Sequence, residues 1–251
     1  MKYSLQCAYL SAIVYSSPKT IPNLLLEKVG DITNFKFYDC DGTQAMTFLI
    51  GDKMYIAFRG TEPTQLSDIL ADLKAWQTKS KYKTGRVHSG FRNALDVIWD
   101  DIFEYVIRNN SGREIIVTGH SLGAALATLC ASRISKKFDN TISLYTFGSP
   151  RVGNRAWAKA FNVETYRFVN NNDIVTRVPS AIFYTHIGKL CYFNHYGFLR
   201  EMGYWQRTKD RWRGFWRAIQ KREGIDWFID HSMALYVKKV ENNTSELLHS
   251  S

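Results

Sequence analysis

Cysteine is scarce in this chain, and long apolar runs are missing from it. Four cysteines, Cys7, Cys40, Cys130 and Cys191, are spread over 251 residues without the paired C-x-x-C spacing that structural zinc or a thioredoxin-type centre requires. Free buried thiols are therefore expected, in preference to a disulfide, in a chain without an export signal. No apolar stretch approaches the ~20 residues that span a bilayer, so a soluble protein is expected. The first fifteen residues carry one lysine and a semi-apolar stretch broken by Gln6 and several Ser and Tyr. That makes a poor signal-peptide core and reads instead as an amphipathic helix. The expected compartment is by default the cytoplasm, unless export follows a route that leaves no such mark. Internal repeats, low-complexity tracts and linkers are absent too, so residues 1–251 are read as a single domain.

Acidic charge is also in short supply: 23 Asp and Glu stand against 33 Lys and Arg, a formal net charge of +10. The excess draws the molecule towards anionic surfaces, whether phospholipid, nucleic acid or acidic polymer, and selects none of them. What the chain has in quantity is material for a core, with 45% hydrophobic and 14% aromatic residues, an ordinary globular composition with somewhat generous aromatics.

Phe35 to Cys40, Met46 to Ile50 and Lys53 to Phe58 are rich in β-branched and aromatic residues and are separated by Asp41-Gly42 and Gly51-Asp52, which predicts three consecutive antiparallel strands. The texture then changes. Phe91, Leu95, Ile98, Ile102 and Val106 lie at helical spacing within Ser89 to Arg108. Glu114 to Thr118 reads as a strand, Leu122 to Lys137 as a helix and Ile142 to Phe147 as a strand. A helix around Asn154 to Phe161, a strand Glu164 to Val169 and a last helix near Asp230 follow. Such alternation predicts an α/β fold with a central, mostly parallel sheet flanked by helices.

Between the predicted strand and helix lies Gly119-His120-Ser121-Leu122-Gly123. G-x-S-x-G in a strand-turn-helix context is the pattern of a nucleophile elbow, where the turn is so tight that the neighbours of the serine must be small. Outside that context the pattern is common by chance, and a plain turn is the competing reading. A serine hydroxyl needs a base, and the base needs an acceptor behind it. In hydrolases of this architecture the chain order is serine, acid, histidine. Asp173 stands just past the strand ending at Val169, and His231 heads the last helix, so these take the slots of acid and base. The oxyanion hole needs two backbone N–H groups. Leu122 supplies one, and Thr61, in the loop after Lys53 to Phe58, is the choice for the other. His88 and His186 are expected to be packed, hydrogen-bonded imidazoles, and His120, next to the nucleophile, to point away from it.

Taken together, Ala57-Phe58-Arg59-Gly60-Thr61, Val87-His88-Ser89-Gly90-Phe91, Gly119 to Gly123 with Ala124-Ala125-Leu126-Ala127, Phe147 to Asn154, Asn172-Asp173-Ile174-Val175 and His231 resemble the class 3 lipases, the fungal-lipase-like branch of the α/β-hydrolase fold. The resemblance implies triacylglycerol lipase, phospholipase A1 or related esterase activity on lipid esters, without a metal or organic cofactor. It supports Ser121, Asp173 and His231 as triad and Thr61 and Leu122 as oxyanion residues. Many relatives have proline where this chain has Thr176, which leaves the geometry of the Asp173 loop open. The family often carries a lid, and Gln65 to Leu73, with Leu66, Ile69, Leu70 and Leu73 on one helical face, lies where it would be. It also includes feruloyl esterases, so a soluble short-chain or aryl esterase is the alternative within enzymes.

From Arg200 to Arg222 eight cations face only Glu201 and Asp210. As a helix from Tyr204 to Lys221 this segment would align Trp205, Trp212, Phe215, Trp216 and Ile219 on one side. Packing of these aromatics on the domain, with solvated arginines, outweighs peripheral contact with an anionic membrane. Nucleic acid is not an expected partner, for no recognition motif accompanies the charge. A catalytically silent anionic-lipid-binding protein on a hydrolase frame is the reading from another class, and the intact triad order opposes it.

Overall fold

Met54, Ile56 and Phe58 enter one hydrophobic cluster, and Tyr55 and Ala57 enter another. A strand apolar on both faces must be covered on both sides. The computed structural model describes residues 1–60, 76–81, 85–220 and 230–244, with the backbone alone over 214–220, and it meets that demand with a sheet between helical layers. Helices α1 (Ser4–Ile13) and α2 (Ile21–Val29) lead into β1 (Thr33–Cys40), β2 (Thr43–Ile50) and β3 (Lys53–Phe58). A small pair, β4 (Gln77–Lys79) and β5 (Arg86–His88), precedes α3 (Ser89–Asn109), β6 (Glu114–His120), α4 (Leu122–Ile134) and β7 (Ile142–Phe147). Then come α5 (Arg155–Ala160), β8 (Glu164–Asn170), β9 (Lys189–Phe193), β10 (Leu199–Arg200), α6 (Tyr204–Gln220) and α7 (Met233–Asn242).

The main sheet has the order β1-β2-β3-β6-β7-β8-β9-β10. It is parallel from β3 to β9 and antiparallel at its two ends. Leu95, Ile98 and Ile102 of α3 and Leu126 and Cys130 of α4 close one face. Cys7 and Leu10 of α1, Leu25 of α2 and Tyr236 and Val240 of α7 close the other, over Tyr55, Tyr145, Phe147 and Phe168. The antiparallel trio, the strand-helix-strand unit and the N-terminal helix agree with the sequence reading. The helix α2 is not among the elements expected, and neither are the short strands β4, β5, β9 and β10, whose two to five residues carry too little periodicity to register.

All four cysteines are free thiols, and three are buried. Cys40 departs from expectation: it is exposed at the end of β1, an edge strand with few buried positions. No helix among the described residues is long and apolar enough to cross a membrane.

Candidate active site

Parallel strands deliver their C-terminal ends to one side of the sheet, and the candidate residues gather there. Ser121 follows β6 and caps α4 with φ 57° and ψ −127°. A non-glycine residue held in this region costs on the order of 1–3 kcal/mol, so the surroundings must enforce it. Packing does so. A Cβ on Gly119 would lie 2.4 Å from the Gly123 carbonyl oxygen, and one on Gly123 would lie 2.3 Å from that of Phe58. Helix α4 is thereby pressed against the ends of β6 and β3, and the Ser121 N–H donates to the Phe147 carbonyl at 3.0 Å. Leu122 is the first residue of α4, where backbone N–H groups have no intrahelical acceptor.

Asp173, fully buried, is held by three donors. Oδ2 accepts from His231 Nδ1 at 2.9 Å and from the Tyr236 hydroxyl at 2.6 Å, and Oδ1 accepts from the Val175 N–H at 2.9 Å. Burial and the Asp173 charge push the Tyr236 phenol well above its ordinary range, so it stays protonated and donates. The Asn170 N–H donates to that same hydroxyl at 3.0 Å, and Asn170 Nδ2 holds the Asp230 carbonyl at 2.7 Å. One residue of β8 thus braces both the acid loop and the segment bearing His231. Thr176 answers the question raised by the missing proline: its hydroxyl donates to the Asp173 carbonyl at 2.9 Å, closing the turn by a hydrogen bond.

His231 is buried, and its Nε2 has no partner among the described residues. With Nδ1 donating to Asp173, Nε2 carries the lone pair, which is the tautomer a general base needs. The elbow and the turn after β7 enclose this ring from two sides. Ring centroids of His120 and His231 are 4.5 Å apart, and a Cβ on Gly148, at φ 60°, would come within 2.8 Å of His231 Nδ1 and of Asp173 Oδ2. The acid–base pair is therefore hydrogen-bonded at the C-terminal end of the parallel strands, beside the elbow that carries Ser121, with no hydrogen bond between Ser121 and His231.

His120 is turned from the nucleophile, as expected, yet it is not idle. Its Nε2 lies 2.7 Å from the His231 carbonyl oxygen and its Nδ1 lies 2.9 Å from the Tyr15 hydroxyl. Burial, together with His231, holds its pKa well below 6.5. The neutral ring then donates from Nε2 and accepts at Nδ1. His120, Tyr236, Asn170 and Tyr15 were not singled out beforehand as support for the site; only the adjacency of His120 to Ser121 was a signal in the sequence. Thr61 lies outside the described residues, as does the Gln65 to Leu73 segment. Gly60 leads up to Thr61, and a Cβ on Gly60 would lie 3.1 Å from Ser121 Cβ and 2.5 Å from the His120 carbonyl oxygen.

Residues 55–183, just over half of the chain, match the family profile described as Lipase (class 3). A secreted mono- and diacylglycerol lipase A of Penicillium cyclopium is 31% identical over 173 residues, which cover 64% of this chain and 56% of that protein. The secreted mono- and diacylglycerol lipase LIP1 of Malassezia globosa is 33% identical over 147 residues, covering 52% and 48%. The chain spans about half the length of these curated relatives. Among solved structures, a triacylglycerol lipase with a serine protease triad as its catalytic centre is 28% identical over 75% of this chain and 78% of that chain, with a TM-score of 0.65. These relatives correct the expected cytoplasmic compartment, since those named here by location are secreted. That expectation rested only on a missing leader pattern, and a missing pattern carries no address.

Proposed function

Because this chain belongs to the class 3 lipases, we propose that it hydrolyses lipid esters with Ser121 as nucleophile, His231 as general base and Asp173 as the acid that orients it. One observation carries the reading: a buried His231–Asp173 pair at 2.9 Å leaves imidazole Nε2 without a partner beside the Ser121 elbow. In the proposed cycle Nε2 takes the Ser121 proton as Oγ attacks the ester carbonyl. The N–H groups of Leu122 and Thr61 hold the oxyanion, the alcohol leaves with the proton, and water then cleaves the acyl-enzyme by the same path. The contact of Gly60 with Ser121 supports the choice of Thr61, the next residue. Acylglycerols are the favoured substrates, in keeping with the names of the relatives, and export is the favoured destination. We treat the whole chain as one catalytic domain.

Peripheral contact with an anionic membrane belongs to the same reading. Trp205 and Trp212 of α6 are 75% and 59% exposed, among exposed Lys209 and Arg213. Aromatic rings beside cations suit the headgroup boundary of an anionic bilayer.

The test is hydrolysis of p-nitrophenyl esters, emulsified acylglycerol and anionic phospholipid vesicles by wild type and Ser121→Ala. Wild type should cleave long-chain substrate, and the variant should lose about four orders of magnitude or more in kcat while melting at the same temperature. Cleavage confined to short-chain esters would instead indicate a soluble esterase, and equal residual activity in both proteins would remove Ser121 from the mechanism.

A further inference from the structure

A small open cavity lies between the β4–β5 pair, α3, α4 and α5. It lies away from the candidate active site, because Arg133 in its wall is twelve residues along α4 from Ser121, about 18 Å at 1.5 Å per residue. Its lining holds four cations from three elements: Lys81 beyond β4, Arg92 of α3, and Arg133 and Lys136 at the end of α4. Ser80, Ser132 and Trp157 complete much of the wall. Lys81 and Arg133 converge on one ring, at 5.4 and 4.9 Å from the Trp99 centroid.

Charge is not balanced there. Among the described residues Arg92 and Arg133 share a single carboxylate, Asp96, and Lys81 and Lys136 pair with none. Asp96 approaches Arg92 Nε at 3.7 Å and is hydrogen-bonded to Arg133 Nη2. Arg92 Nη1 also donates to Thr78 Oγ1 at 3.0 Å and to the Lys79 carbonyl at 3.4 Å. The Arg133 side chain is only 4% exposed, and its Nη1 has no acceptor among the described residues. A buried donor of a charged group without a partner is costly, and it marks a place where an ion or water belongs. A free guanidinium N–H with ammonium groups beside it suits a tetrahedral oxyanion, which such donors hold by charge-assisted hydrogen bonds.

We propose that this cavity is a binding site for a phosphate group, free or carried on a lipid head, that ties β4–β5, α3 and α4 together. Isothermal titration with orthophosphate against chloride at matched ionic strength tests it on wild type, Lys81→Gln/Lys136→Gln and Asp96→Asn. Both lysines are exposed, so the double variant should fold, which its melting in chloride checks. Wild type should bind phosphate saturably, the double variant about tenfold or more weakly, and Asp96→Asn more tightly, because the competing carboxylate is gone. Vesicles of phosphatidic acid and of phosphatidylcholine separate the two sources. Binding of phosphatidic acid alone, weakened in the double variant, assigns the phosphate to a lipid head. No phosphate or phosphatidic acid binding beyond chloride, or affinity equal in all three proteins, overturns the site. Ester hydrolysis by wild type is measured alongside, so failure here leaves the active-site reading standing.

Discussion

At Asp173 one carboxylate oxygen accepts from two donors, the His231 ring and the Tyr236 phenol. The phenol sits at 2.6 Å, is fully buried, and also accepts from the Asn170 N–H. It holds the same carboxylate oxygen that His231 Nδ1 meets, so its loss should loosen the base more than the substrate. Tyr236→Phe is expected to lower kcat by roughly ten- to hundredfold, since a hydrogen bond to a charged group is worth about 1.5–3 kcal/mol, with KM little changed. Steady-state kinetics on a soluble ester checks this. Ser121 was legible because its chemistry forces small neighbours at fixed offsets, and Asp173 and His231 followed from chain order. Tyr236 and His120 were not legible as supports, because a hydroxyl five residues beyond the base and a ring beside the nucleophile gain meaning only when β8, α1 and α7 meet.

Helix α6 shows what an element hides until its docking face is known. The helical period aligns Trp205 with Trp212, and the expectation was that they pack on the domain. The structure corrects it: both are exposed, while Asp210 on another face is 3% exposed. Asp210 receives the Tyr192 hydroxyl at 3.0 Å and the His195 N–H at 3.1 Å, and it pairs with the His195 ring. A carboxylate with waiting donors can be buried, and burying it turns the tryptophans outward. Phe215, Trp216 and Ile219 fall among side chains that are not described, and Lys221 and Arg222 lie outside the described residues. If the outward face meets lipid, Trp205→Ala/Trp212→Ala should cut binding to anionic vesicles by about tenfold or more with the fold intact. Binding by wild type should also weaken as salt is raised. Sedimentation with vesicles measures both.

At the scale of the whole molecule, two histidines are held in neutral form, His120 fully enclosed and His186 partly so. Burial with His231 nearby holds His120 well below 6.5, and burial with Arg167 and Arg151 nearby does the same for His186. Both folded values are depressed, so below about pH 6.5 the unfolded chain takes up protons that the folded protein refuses. Stability from these sites is complete above that pH and falls as pH drops, by up to about 1.4 kcal/mol per pH unit for each. Asp230, raised by burial, acts in the opposite sense nearer the carboxylate range. Denaturant unfolding between about pH 7.5 and 5.5 should therefore show falling stability, with a shallower slope in His186→Gln.

By itself the sequence determined the sheet's central strands, the elbow and the identity of the candidate triad, because strand burial, turn geometry and nucleophile chemistry each restrict residue type at short range. Tertiary structure alone decided which donors saturate Asp173, that a threonine hydroxyl closes the turn where proline is usual, which face of α6 meets solvent, and that Lys81, Arg92, Arg133 and Lys136 line one cavity. Those outcomes depend on pairs of residues far apart in the chain, and short-range periodicity and residue type carry no record of which distant partners the packed sheet will bring together.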